Sequence, residues 1–178
     1  MEQKLNNQYL MECATKEAWD ILSEDFDWTE SLLEKHQDKL NWKGISENSQ
    51  IKWNITMLDK FKEKLHWDIL SKEIHSEQIT PEILNKFKDR WDWYKLSVNR
   101  HLNLTRDIID KYAEYLDWKE LIDHRFTSNP YDKDPIGFYE RYKKYIPPYI
   151  LKETCLWDSI VDVCKEQLFS DITTCTIS

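Results

Sequence analysis

A tryptophan returns at a nearly fixed interval through most of this chain. Trp19, Trp42, Trp67, Trp93 and Trp118 are separated by 23, 25, 26 and 25 residues. A chain that repeats itself at such a period builds a stack of similar small copies, none able to bury its apolar face alone. The surroundings of each tryptophan repeat with it. Three positions on stand Leu22, Ile45, Leu70, Leu96 and Leu121. Four positions on stand Ser23, Ser46, Ser71 and Ser97, and Ile122 breaks the column. Apolar residues at i and i+3, bounded by Ser, predict a short helix of about two turns. Asn41, Asp92 and Asp117 precede the Trp and can N-cap that helix, and Asp117 with Glu120 has capping-box spacing.

A second helix lies between successive tryptophans. Thr29, Asn54, Thr80 and Thr105 form a column of N-caps, and Pro81 occupies a first helical position, where a missing N–H costs nothing. Trp28, Trp53, Ile79 and Leu104 precede the caps, and Leu33, Leu58, Leu84 and Ile109 follow five residues after them. That is the spacing of a hydrophobic staple. Four apolar columns run down this helix, represented by Met57, Leu58, Phe61 and Leu65 in one copy and by Ile83, Leu84, Phe87 and Trp91 in the next. The offsets i, i+1, i+4 and i+8 share one stripe of a helix of about three turns.

These columns predict an all-α fold: an α-solenoid of about five two-helix repeats in a single domain over residues 1–178. An N-terminal capping helix is expected over residues 1–18, repeats over 19–147 and a C-terminal cap over 148–178. The N-terminal helix is expected to gather Leu5, Tyr9, Leu10 and Cys13 on one side. Pro147 and Pro148 are expected to stop the helix that carries Phe138 to Ile146.

The clearest copy reads Asp92-Trp93-Tyr94-Lys95-Leu96-Ser97-Val98-Asn99, then Leu104-Thr105, then Ile108-Ile109-Asp110-Lys111-Tyr112. This pattern resembles the short tryptophan-rich helical repeats that occur in arrays in some bacterial and giant-virus proteins. The likeness covers roughly Trp19 to Ile146 and weakens in the first and fifth copies. It implies a helical scaffold and brings no catalytic residues with it.

Chemistry is sparsely encoded. The five histidines form neither HxxxH nor HExxH, the two glycines cannot build a phosphate-cradling loop, and no GxSxG is present. No cofactor, metal or catalytic residue is expected, and the chain reads as a protein other than an enzyme. A net charge of −8 opposes binding driven by nucleic-acid phosphates and is compatible with a basic protein partner or merely with solubility. Cys13, Cys155, Cys164 and Cys175 lack metal-finger and CxxC spacing and read as free thiols of a cytoplasmic protein. No run of about 18 apolar residues marks a membrane span.

Two groups remain as candidate sites. Lys35, Lys60, Lys86, Lys111 and Arg141 place one cation per copy and could form a ladder for phosphates, although Glu34, Asp59, Asp110 and Glu140 stand beside four of them. The insertion from Asp123 to Pro135 departs from the period, and insertions in repeat arrays often bind. Its His124, Arg125, Phe126, Asn129, Tyr131 and Asp132 have the character of interface anchors. The expected function is therefore a protein-binding repeat scaffold, an immunity or antitoxin-like inhibitor or an adaptor. The alternative is a nucleic-acid-binding helical-repeat protein that uses the basic ladder.

Overall fold

The computed structural model describes the backbone of residues 2–125 and 134–175, and the side chains of residues 7–123 and 134–173. The fold is all-α, with no strand among the described residues. The chain divides into two compact units, Met1–Asn103 and Leu104–Ser178.

The first unit holds α1 (Glu2–Asp25), α2 (Glu30–His36), α3 (Trp42–Glu47), α4 (Ile55–Phe61), α5 (Trp67–Glu73), α6 (Pro81–Lys86) and α7 (Trp93–Val98), with a 3-10 turn at Ser76–Gln78. The tryptophan-led helices form a row in which α1 packs on α3, α3 on α5 and α5 on α7. α1 runs unbroken through Trp19, Leu22 and Ser23, so the first short helix is the end of a longer one. Gly44 permits the approach of α3 to α1: a Cβ there would lie 2.9 Å from Glu24 Cγ and 3.3 Å from Ser23 Cβ.

Capping follows the sequence. The side chains of Thr29, Asn54 and Thr80 accept from the first turns of α2, α4 and α6, and those of Asn41 and Asp92 do so for α3 and α7. His66 caps α5 by position alone, without a side-chain bond. The staple residues Trp28 and Leu33, Trp53 and Leu58, and Ile79 and Leu84 are buried.

The second helices are shorter than the expected three turns: α2 and α4 have seven residues and α6 has six. Each helix gives way to a tight turn, with Lys39 N–H on the His36 carbonyl, Lys64 N–H on that of Phe61 and Arg90 N–H on that of Phe87, and an exchange of hydrogen bonds then keeps the helix from resuming. Were α2 to continue, the Asn41 N–H would bond the Gln37 carbonyl. Instead Asn41 N–H donates to Ser23 Oγ (3.0 Å), and the Gln37 carbonyl accepts from the Trp42 indole N–H (3.0 Å). The same swap ends the next helix, with His66 N–H on Ser46 Oγ (2.9 Å) and Trp67 Nε1 on the Lys62 carbonyl (2.9 Å). It ends the third, with Asp92 N–H on Ser71 Oγ (3.0 Å) and Trp93 Nε1 on the Lys88 carbonyl (3.0 Å). Each serine is almost fully buried and donates its own proton four residues back, Ser23 to Trp19, Ser46 to Trp42 and Ser71 to Trp67. Two asparagines add a further tie. Asn48 donates to the carbonyls of Ser23 and Phe26, and Asn99 to those of Ser71 and Ile74.

The second unit holds α8 (Arg106–Tyr112), α9 (Trp118–Arg125), α10 (Pro135–Tyr142), α11 (Pro148–Leu151) and α12 (Cys155–Cys175), and α12 packs on α9 and α10. Trp118 Nε1 takes the Ala113 carbonyl at 2.8 Å, so the tryptophan half of the exchange recurs here. Thr105 occupies the N-cap of α8 without a side-chain bond to it. α10 already ends at Tyr142, short of the two prolines, and Pro148 opens α11 rather than closing a helix. Tyr142, Ile146, Pro147, Pro148 and Leu151 keep the spacing of His36, Leu40, Asn41, Trp42 and Ile45, so α11 stands where a further short helix belongs. Ile122 replaces the serine in this copy, and the following N-cap is Pro147, which has no N–H to offer.

The exchange makes a specific statement about energetics. Ser23→Ala leaves Asn41 N–H without its acceptor, and Trp42→Phe leaves the Gln37 carbonyl without its donor. Each should destabilise by about 1–3 kcal/mol in chemical denaturation. Combined, they free a donor and an acceptor that can rejoin as an ordinary helical bond. The double variant should therefore lose less than the sum of the singles; additive losses would count against the exchange.

Candidate functional site

The structure puts the basic ladder to structural use. Lys60 Nζ lies 3.3 Å from a Glu30 carboxylate oxygen and 2.8 Å from one of Glu34. Lys86 lies 3.2 Å from Asp59. Arg141 grips Asp110 with two nitrogens, and Tyr142 donates its hydroxyl to the same carboxylate at 2.8 Å. In each case the acid belongs to the preceding copy. Lys111 Nζ stands 5.3 Å from the centre of the Tyr112 ring, and Lys35 is exposed. The bonds from Lys62 and then Lys86 hold the Asp59 carboxyl below its ordinary range, and the bond to Glu34 raises Lys60. The Arg141 guanidinium likewise lowers Asp110, while burial, followed by the bond to Asp110, pushes the Tyr142 hydroxyl up to about 12.

Of the insertion residues, His124 and Arg125 fall at the end of α9 with side chains outside the described residues, and Phe126, Asn129, Tyr131 and Asp132 lie wholly outside them. The ends of the insertion are described. Asp123 pairs with Lys119 at 3.0 Å and accepts from the Cys155 N–H at 3.2 Å, and Asp134 caps α10.

The tryptophans are engaged on their faces as well as through their N–H groups. Ring centroids lie 5.4 Å apart for Trp19 and His36, 5.2 Å for Trp42 and Phe61, 5.2 Å for Trp67 and Phe87, and 4.8 Å for Trp118 and Tyr142. Each pair joins a tryptophan to the third apolar column of the helix that follows. Trp91 stands where other copies have an aliphatic residue. It is buried edge-on to Trp67, and its N–H is the buried side-chain donor left without a hydrogen bond among the described residues.

An open surface lies elsewhere, on α1. Leu10, Met11, Ala14, Ala18, Ile21 and Leu22 fall within about 140° of arc at 3.6 residues per turn, opposite the side that meets α3. The charged residues Glu12, Lys16, Glu17, Asp20 and Glu24 fall outside that arc. Leu10, Met11 and Ile21 are 58%, 66% and 53% exposed. Position in the repeat makes the contrast sharp: Leu22 is 41% exposed, whereas Ile45, Leu70 and Leu96 in the same column are 0%, 1% and 1% exposed. Tyr9, Leu10 and Cys13, expected on one side of this helix, are all exposed.

Three adjoining hollows follow α1. The largest, about 780 Å³, lies between Met11, Glu12, Lys16 and Trp19 on α1 and Lys39–Asn41 beyond α2. The second passes over Met11, Ala14, Ala18 and Leu22, and the third reaches Phe26, Trp28, Leu32 and His36. Trp19 lines all three, and Lys39 Nζ lies 5.3 Å from its ring centre. The hollows thus form one groove with an aromatic floor. Sequence reading missed it because the residues that line it obey the repeat, and what marks them is their exposure: among the described residues no helix is packed on this side of α1.

No protein family, curated protein or solved structure matches this chain. Among the described residues, no helix is long and apolar enough to cross a membrane, and no three His, Cys, Asp or Glu side chains gather closely enough to hold a metal ion.

The Asp110 cluster has a definite pH signature. Because the folded state lowers this carboxyl, its contribution is present above the ordinary aspartate value of about 3.9 and is lost as pH falls through the lowered native value. Denaturation midpoints measured from neutral to acid pH should show that loss in the parent protein, and Asp110→Asn should remove that component. An unchanged acid limb in the variant would mean the cluster carries no linked stability.

Proposed function

We propose that the chain is an α-solenoid of about five two-helix repeats, closed by helices at its ends, which serves as a non-catalytic protein-binding scaffold. The observation that carries this reading is the groove along α1. A contiguous apolar surface of this kind on a folded protein marks an interaction site more often than an ordinary patch of exterior. An inhibitor of the immunity or antitoxin type, or an adaptor, is the class of protein that needs such a surface and no reaction centre. The resemblance to tryptophan-rich repeat arrays and the net charge of −8 point the same way, toward a basic protein partner in the cytoplasm.

The nucleic-acid alternative depended on free cations along the ladder. Lys60, Lys86 and Arg141 already hold carboxylates, which leaves that track nearly neutral. The protein should accordingly give no salt-dependent mobility shift with single- or double-stranded nucleic acid. A shift at low salt that Lys60→Glu, Lys86→Glu and Lys111→Glu abolish together would reverse the choice.

Affinity capture from host extract at near-physiological salt, with partners identified by mass spectrometry, tests the scaffold reading. It should recover a defined protein in stoichiometric amount, and recovery of none would overturn the proposal.

A further inference from the structure

Resting on the scaffold reading, we infer that the α1 groove receives a helix from a basic protein partner, an amphipathic segment with an apolar stripe and Lys or Arg on its flanks. Its place is the one a preceding short helix would take in the row.

Continuity with the row identifies the occupant as a helix. α3, α5 and α7 each pack one side on the helix before them, and α1 has the same side open. Leu22 occupies the column that Ile45, Leu70 and Leu96 fill fully buried. Ala14 and Ala18 leave α1 without bulk at the middle of the face, which allows another helix backbone to come close.

Charge identifies the chemistry of that helix. α1 carries six acids against two lysines, a net −4, half of the −8 of the whole chain. Glu12 and Glu17 border the apolar arc on its two sides, and neither makes an ion pair among the described residues. Along the ladder, by contrast, Glu30, Glu34, Asp59 and Asp110 are each matched by a cation of the following copy. A partner helix flanked by Lys or Arg would complete α1 in the same way. The same charge opposes a second copy of this chain. α1 would face its own acids, and α12, whose Leu168, Phe169 and Ile172 are also exposed, carries four acids against one lysine.

The test uses the full chain and a designed helical peptide with a Leu/Ala stripe and Lys flanks, beside a version with Glu flanks, titrated calorimetrically. The Lys peptide should bind in the micromolar range and weaken as salt rises and the Debye length falls. The Glu peptide should not bind. Ala18→Glu and Met11→Glu are exposed substitutions that should leave the circular dichroism and Tm unchanged and weaken binding about tenfold or more, about 1.4 kcal/mol. Both add negative charge, so attraction by charge alone would strengthen binding instead, and that result would overturn the proposal. A parent dimer in sedimentation that Met11→Glu dissolves would make the occupant a second copy and also overturn it. Host-protein capture separates this inference from the reading beneath it. Capture lost in Ala18→Glu supports the groove. Capture retained in Ala18→Glu overturns the groove while leaving the scaffold reading intact, and capture by neither protein overturns the scaffold.

Discussion

The joint between one helix and the next rests on an indole that works in two directions. Its N–H takes the carbonyl left open at the end of the preceding helix, as Trp42 does for Gln37 and Trp67 for Lys62. Its ring lies against the helix that follows, Trp42 on Phe61 and Trp67 on Phe87. Tryptophan is suited to this task because it combines a large apolar face with one donor. Phenylalanine would fill the space and leave a carbonyl unpaired; tyrosine would place its donor at the far tip of the ring. A buried carbonyl without a partner costs about 1–3 kcal/mol, a large fraction of the stability of a small domain.

The serine is the other half of the same device. A helix ended by stealing a carbonyl also has a spare N–H, and burial makes that N–H a liability. Ser23, Ser46 and Ser71 accept it from within the neighbouring helix, so local termination and packing between copies become one event. The final copy shows the logic in reverse. Pro147 has no N–H to satisfy and Pro148 no indole, and the serine position is correspondingly Ile122, fully apolar and buried. The break in the serine column thus follows from the chemistry of the residue it would have served.

Much of this fold is legible in the sequence, because local rules act on adjacent residues. The caps at Thr29, Asn54, Thr80, Asn41 and Asp92 and the staples at Trp28 and Leu33 follow from spacing alone. What escapes is anything that depends on a partner about 20 residues away. Serine at a helix end suggests a boundary, whereas Ser46 sits inside α3 and binds the backbone at His66. The ladder was similarly ambiguous: acids adjoin most of its cations in sequence, but the carboxylates that Lys60 and Lys86 meet, Glu34 and Asp59, belong to the preceding copy. Helix length was overestimated for a related reason. Periodicity continues through Leu40 and Leu65 although the regular helix ends at His36 and Phe61, because the turn that follows keeps the next apolar residue on the same side.

A repeat hides its own functional surface, since a residue that packs in four copies looks like packing in the fifth. Leu22 has the sequence signature of a core leucine and the exposure of an interface leucine. The two are separated by position in the array and by nothing in the residue itself. α3 and α5 are each met twice, by the helix before and by the helix after, whereas α1 is met on its α3 side and remains open on the other. The cohesive chemistry of the row therefore accumulates, unspent, at its first helix: an apolar stripe, an aromatic floor at Trp19 and acids without cations. A surface built to be covered by a repeat is already shaped for a helix, so recognition there needs little beyond the rules that stack the copies themselves.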